Sequence, residues 1–322
     1  MQRRIRILVC ILIVILCGCT SKEKNQVRFL LDWWPNPIHV PLYVGISQGY
    51  FLDEGIDLEI IKCPDAPETV PYLLSQRADV ALYYMPNTIK AGQRTDELEV
   101  IGVLIDRPLR AFVFREDSGI RTPKDLQGKI IGANPEGFFG AYVKAAMNKW
   151  GIEFKEIRKV QFDPTAALMT RSVDVISGVF WNVEPELMRL HGVPTHYFTM
   201  EDFQIPSFDE LIFISRKSFL KENAQFSTRF RKAIQKSIDF CKTHPDEAFS
   251  LYWAFHPDKS DMTKKWEKNC WDLTYPLYAS KQELSEEKWR LFYAWLQENH
   301  LLKVEYDVGA LWKGEGEQVA VR

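Results

Sequence analysis

The side chains in this chain best suited to holding another molecule are aromatic and polar residues that recur together. Trp33 and Trp34 precede Asn36 and His39; Tyr83 and Tyr84 precede Asn87; Phe180 and Trp181 precede Glu184. Indole, phenyl and phenol rings offer flat faces for stacking, a carboxamide offers both donor and acceptor, and a carboxylate accepts charge-assisted hydrogen bonds. Aromatic residues make up 13% of the chain and ten are Trp, which suits planar or apolar ligands and equally a well-filled core. Metal chemistry is not expected. His39 has no second His or carboxylate at i+4, and the six Cys, at 10, 17, 19, 63, 241 and 270, form no C-x-x-C pair. The loop Pro135-Glu136-Gly137-Phe138-Phe139-Gly140 precedes a helix start, where an anion can sit. Its Glu136 disfavours that occupant, so Phe138 is expected instead to close over a ring.

The elements that must position these residues alternate in type. Val27–Leu31, Ile56–Ile60, Ala78–Tyr83 and Val100–Ile105 read as strands, with helices over Pro41–Gly49, Glu68–Gln76 and after Pro86. A second series follows: Ala111–Phe114, Lys129–Ala133, Ile157–Phe162 and Val173–Ser177 as strands, Gly140–Trp150, Pro164–Arg171 and Pro185–His191 as helices. After the strand Leu211–Ser215 the chain is helical, with Phe226, Phe230, Ile234 and Ile238 at helical spacing. The β-α-β order predicts an α/β protein of mostly parallel sheets covered on both faces. Two arrangements fit. Either two domains stand in tandem, or the chain crosses to a second lobe near Asp106–Phe112 and returns near Gln204–Leu211, leaving a cleft that hinge strands can close. Periodicity does not choose between them.

A length of 322 residues is ample for a full core, and a net charge of −2 gives no reason to expect nucleic acid as a partner. The amino terminus reads as an address. Arg3, Arg4 and Arg6 precede the apolar run Ile7–Leu16, then Leu16-Cys17-Gly18-Cys19 and a polar stretch. That run is too short to span roughly 30 Å of hydrocarbon. It resembles a bacterial lipoprotein signal, which implies a signal peptide over 1–18 and lipidation at Cys19; an ordinary signal with a coincidental Cys is the alternative.

The segments Asp32-Trp33-Trp34-Pro35-Asn36-Pro37-Ile38-His39 and Gly49-Tyr50-Phe51-x-x-Glu54-Gly55-Ile56-Asp57 carry a resemblance. So do Ala78-Asp79-Val80-Ala81, Arg107-Pro108-Leu109, Thr122–Leu126 with Gly128-Lys129, and Phe180-Trp181-Asn182-Val183-Glu184. Together they resemble the periplasmic binding proteins for thiamine pyrimidine precursors, relatives of the sulfonate- and nitrate-binding proteins, from about residue 27 to about 255. The resemblance implies the two-lobed periplasmic binding protein type II fold with two hinge crossovers: lobe I from 19–108 and 208–322, lobe II from 109–207. It also implies an ABC importer receptor, monomeric, that passes its cargo to a permease and its ATPase and meets the membrane through its lipid anchor alone. A receptor for another small solute, such as a sulfonate, a nitrate or another heteroaromatic, is the rival reading.

The same family includes yeast-type synthases that use pyridoxal phosphate, a lysine and a histidine four residues later. Here Tyr83 and Asn87 stand at those two places, and a Schiff base needs an amine. The synthases' cysteine-rich run is replaced by Phe208-Asp209-Glu210-Leu211-Ile212. No enzyme and no cofactor is therefore expected. For an aminopyrimidine, the resemblance makes Glu184 the acceptor of the ring's amine edge, with Trp34 and Trp181 as stacking candidates. Only one of Trp33 and Trp34 is expected to meet the cleft, since neighbours in extended chain face opposite ways. Asn36 is assigned to a ring edge, His39 to a formyl or hydroxyl group, and Tyr83, Tyr84, Asn87, Phe138 and Phe180 to the lining. Cys241 and Cys270 are either one disulfide or free buried thiols.

Overall fold

The computed structural model describes residues 26–61, 69–133, 138–160 and 164–313; Cys19, Cys63 and the loop 134–137 lie outside them. Ten strands occur among these residues: β1 (Gln26–Leu30), β2 (Asp57–Ile61), β3 (Val80–Tyr83), β4 (Leu98–Ile105), β5 (Arg110–Arg115), β6 (Ile130–Ala133), β7 (Glu156–Lys159), β8 (Val175–Phe180), β9 (Thr195–Thr199) and β10 (Leu211–Arg216). They form two five-stranded sheets, ordered β2-β1-β3-β10-β4 and β7-β6-β8-β5-β9. The chain thus leaves the first sheet after Ile105, builds the second, and returns at Leu211. That is the crossing arrangement, not the tandem one.

Each sheet is mixed, not mostly parallel. In the first, β1 pairs parallel with β2 and β3, while β10 is antiparallel to β3 and β4. In the second, β6 pairs parallel with β7 and β8, while β5 is antiparallel to β8 and β9. The physical reason is the crossing itself. The strand that arrives from the other lobe enters through the hinge end and runs against its neighbours, which a β-α-β pattern cannot reveal. The edge strand β9 carried no sequence signal, because His196 and Tyr197 are exposed and its apolar alternation is weak.

One cluster of buried residues runs through both sheets, from Leu30 and Ile212 to Phe112 and Val175. On the second sheet's side Phe112 of β5 meets Phe203 at 4.6 Å between ring centroids, and at the return Phe208 meets Phe292 at 5.0 Å. The helix Glu286–Glu298 secures both crossovers: Lys288 Nζ donates to the Asp106 carbonyl and to Asp209 Oδ1, each at 2.6 Å, and Trp289 Nε1 donates to Asp209 Oδ2 at 2.8 Å. Asp106 and Arg107, at the outgoing crossover, form a partly exposed neighbour pair at 3.3 Å. Cys241 and Cys270 are free and buried, so the disulfide alternative is not realised. Burial pushes both thiols up from their ordinary value.

The helix Val40–Ser47 follows the tryptophan loop and lies against the long helix Phe226–Thr243 at Gly45, where a Cβ would meet the Phe51 ring and the Ser237 hydroxyl. Gly45→Ala is expected to destabilise the protein by about 1–3 kcal/mol through overpacking. A urea unfolding midpoint unchanged from wild type would remove this contact from the account.

Candidate functional site

The site is built where carboxyl ends of strands in both sheets meet the crossovers, the place open α/β folds reserve for ligands. Asp32, two residues past β1, is buried. Its Oδ1 lies 2.8 Å from His39 Nε2, and its Oδ2 accepts from the Tyr84 hydroxyl at 2.6 Å. His39 Nδ1 accepts the Asn36 backbone N–H at 3.2 Å, so the ring proton that meets Asp32 sits on Nε2. Desolvation, joined by the nearby Asp32 charge, holds the Tyr84 phenol well above its ordinary value.

These contacts correct the roles expected of His39 and Asn36. His39 is fully buried with both ring nitrogens engaged, so it is a structural anchor and not a ligand contact. Asn36 caps the turn Pro37–His39. Its Oδ1 accepts the Ile38 N–H at 2.9 Å and its Nδ2 donates to the Trp34 carbonyl at 3.0 Å. The flanking Pro37, which has no N–H, makes that capping geometry favourable. Trp33 and Trp34 are also placed differently from expectation. Both are exposed, at 45% and 57%, because residues 32–35 bend and do not continue the strand, so the opposite-faces rule does not apply. The loop is held from below: Lys259 Nζ donates to the Pro35 carbonyl at 3.1 Å, to Tyr252 Oη at 2.8 Å and to the buried Glu267 Oε1 at 2.5 Å. Tyr278 Oη lies 3.0 Å from the Pro37 carbonyl oxygen.

Tyr83 closes β3 with its phenol buried, and Asn87 stands one helical turn on. Desolvation raises that phenol. Its ring lies 5.7 Å from that of Tyr84. The Tyr84 ring carries the Arg110 guanidinium at 4.4 Å, which also stands 5.6 Å from the Phe180 ring. Arg110 faces Phe180 across β5 and β8, and the Phe180 N–H donates to Glu184 Oε2 at 2.8 Å.

Glu184 opens the helix Glu184–Leu190. Burial pushes its carboxyl up to about 7; the Phe180 N–H, its own N–H and the Arg110 charge oppose that rise. The turn ahead of it is pinned to the helix Asp261–Thr274. Asn182 Nδ2 donates to Thr274 Oγ1 at 2.7 Å, and Trp266 Nε1 donates to the Val183 carbonyl at 3.2 Å. Trp181 is half-buried and stacks one face on Tyr197, 5.8 Å away at 17°. Tyr84, Phe180, Trp181 and Glu184 therefore converge, Tyr83 lies beside Tyr84, and Trp34 stands on the exposed loop. The Phe138 side chain lies outside the described residues.

Sequence reasoning did not assign Asp32, Arg110 or Glu210 to the site. Glu210 is fully buried; its Oε1 accepts from Arg110 Nε at 2.9 Å and its Oε2 from the Leu109 N–H at 2.9 Å. A signal did exist: each is a charged residue abutting an apolar strand, where burial forces pairing. Among the described residues no group of His, Cys, Asp and Glu could hold a metal ion, and no helix is long and apolar enough to cross a membrane.

Two mixed sheets joined by two crossovers define the two-lobed periplasmic binding protein fold. Over 88% of its length the chain superposes on 95% of the periplasmic aliphatic sulphonate binding protein SsuA from Escherichia coli, with a TM-score of 0.68 and 14% identity. The chain belongs to the NMT1/THI5-like family, which it matches over residues 36–248. Within its relatives, a formylaminopyrimidine-binding protein from Halalkalibacterium halodurans is 27% identical over 77% of each chain. A 4-amino-5-hydroxymethyl-2-methylpyrimidine phosphate synthase from Candida albicans is 29% identical, also over 77% of each.

The raised carboxyl gives a signed pH dependence. Between its ordinary value of 4.5 and about 7, the native state keeps the Glu184 proton that the unfolded chain has released. Stability therefore falls as pH rises through that window. Glu184→Gln, whose amide oxygen can still accept the Phe180 N–H, is expected to gain on wild type from pH 4.5 to 7 and hold the gain above. Parallel urea titrations across that range check this; a difference that does not vary with pH contradicts it.

Proposed function

We propose that this protein is the solute receptor of an ABC importer and captures a thiamine-type aminopyrimidine between its lobes. It performs no bond chemistry. The observation that carries the reading is the Glu184 carboxyl, partly buried and raised to about 7 beside the Phe180 and Trp181 rings. An exocyclic amine and its neighbouring ring nitrogen present two parallel groups to a carboxyl, and a carboxyl that titrates near neutrality can share one proton with that edge in a charge-assisted pair. Tyr84 and Trp181, with Trp34 on the loop held by Lys259, supply faces for the flat ring. Closure on the ligand would shift the protein to the form that a permease and its ATPase read. The family, and the relative named for binding formylaminopyrimidine, support this cargo class.

A synthase reading is less well supported, although the Candida albicans relative is named as one. At the two places where the resemblance puts the enzymes' lysine and histidine, this chain carries a phenol, Tyr83, and a carboxamide, Asn87, and neither is an amine. The monomer, the lobe boundaries 19–108 with 208–322 and 109–207, and the signal peptide 1–18 with lipid on Cys19 belong to the same proposal.

Titration of the purified protein with formylaminopyrimidine and hydroxymethylpyrimidine, followed by Trp fluorescence, is expected to show saturable binding. Glu184→Gln should weaken it by about 1.5–3 kcal/mol, the range for hydrogen bonds to charged groups. Equal affinity in that variant removes Glu184 from the role, and saturation by sulfonates or nitrate alone removes the cargo. Cys19→Ser is expected to release the protein from the membrane fraction on cell fractionation; a variant that stays with the membrane contradicts the anchor.

A further inference from the structure

The second buried carboxylate at this junction is one the proposed binding chemistry does not use. Glu210 begins the return from lobe II, one residue before β10, and is entirely out of water. Its two oxygens take the backbone N–H groups of Leu109 and Arg110, at 2.9 and 3.2 Å on Oε2, and the Arg110 Nε at 2.9 Å on Oε1. Arg110 begins β5, so one carboxylate ties the outgoing crossover to the returning one. The guanidinium it holds is 13% exposed in its side chain, lies over the Tyr84 ring, and stands in the strand pair that leads to Glu184.

An arginine in that position has an obvious alternative use. Its planar fork fits sulfonate, sulfate and other oxyanions bidentately, and it stays charged at any physiological pH. The same fold serves anions elsewhere, as the name of the Escherichia coli sulphonate binding protein records. Specificity is a difference between affinities, and one way to obtain it is to deny the wrong ligand its counter-charge.

We propose that Glu210 is a specificity residue: by neutralising Arg110 it denies oxyanions a partner in the cleft and leaves Glu184 as the charge a ligand meets. The inference rests on the reading of the cleft as an aminopyrimidine site, and it assigns this chain's Arg110–Glu210 pair the role of keeping that site selective for amine-bearing rings.

The test uses the full chain, wild type and the variants Glu210→Gln and Arg110→Gln/Glu210→Gln, with calorimetric titration of methanesulfonate and of hydroxymethylpyrimidine at low ionic strength. Wild type is expected to bind methanesulfonate negligibly. Glu210→Gln should bind it at least tenfold more tightly, with the gain lost in the double variant and suppressed by added salt. Folding of each protein is read by circular dichroism. Should Glu210→Gln not fold, Glu210→Ala, which likewise removes the negative charge and leaves room beside Arg110, takes its place with the same expectation.

A folded variant with no gain overturns the proposal, as does an equal gain in the double variant or tight methanesulfonate binding by wild type. The reading of the cargo fails separately. If wild type does not bind hydroxymethylpyrimidine while Glu210→Gln gains methanesulfonate, the cargo is wrong and the charge lock stands.

Discussion

Asp209 and Glu210 are adjacent carboxylates that are both almost wholly removed from water at the point where the chain re-enters its first sheet. An isolated buried charge is expensive, and removing the partner of a buried pair commonly costs about 3–5 kcal/mol. Each carboxylate therefore dictates what surrounds it. Asp209 requires Lys288 and Trp289, which fixes the helix Glu286–Glu298 against both crossovers. Glu210 requires Arg110 and two backbone N–H groups, which fixes the start of β5. Desolvation raises both carboxyls while their cationic partners pull them down. The geometry of the lobe junction follows from satisfying these two groups.

From that junction the candidate site grows outward through contacts of different kinds. Arg110 carries the constraint to Tyr84 by a cation–π contact, and Tyr84 carries it to Asp32 and His39 by a short hydrogen bond. On the other side, the pairing of Arg110 with Phe180 places the N–H that Glu184 accepts. The helical tail contributes a second support. Lys259 and Tyr278 hold the loop that presents Trp33 and Trp34, and Trp266 and Thr274 hold the turn that presents Glu184. A tail that is remote in sequence therefore sets both walls. Its buried Trp271 and Trp289 also show that much of the aromatic content is core.

At positions 83 and 87 the chain carries a phenol and a carboxamide. Tyr83 closes β3 with its ring 5.7 Å from that of Tyr84, and Asn87 stands one helical turn on, in the helix Met85–Gly92. Neither side chain is an amine, so neither can form the Schiff base that a pyridoxal phosphate mechanism needs.

The sequence alone was sufficient for most elements and their order, β9 excepted, because strand and helix periodicities are local and most expected boundaries fell within a few residues of the observed ones. It also singled out Glu184, Trp181, Tyr84 and the tryptophan loop as candidate positions, since aromatic and acidic residues after a strand stand out against an apolar pattern. Tertiary structure decided what local pattern cannot encode. Strand direction in β5 and β10 depends on which lobe each comes from. His39 and Asn36 proved structural because their partners, Asp32 and the Trp34 carbonyl, are fixed by a bend and not by spacing. The pairing of Arg110 with Glu210 spans 100 residues, and only folding brings such distant charges together out of water.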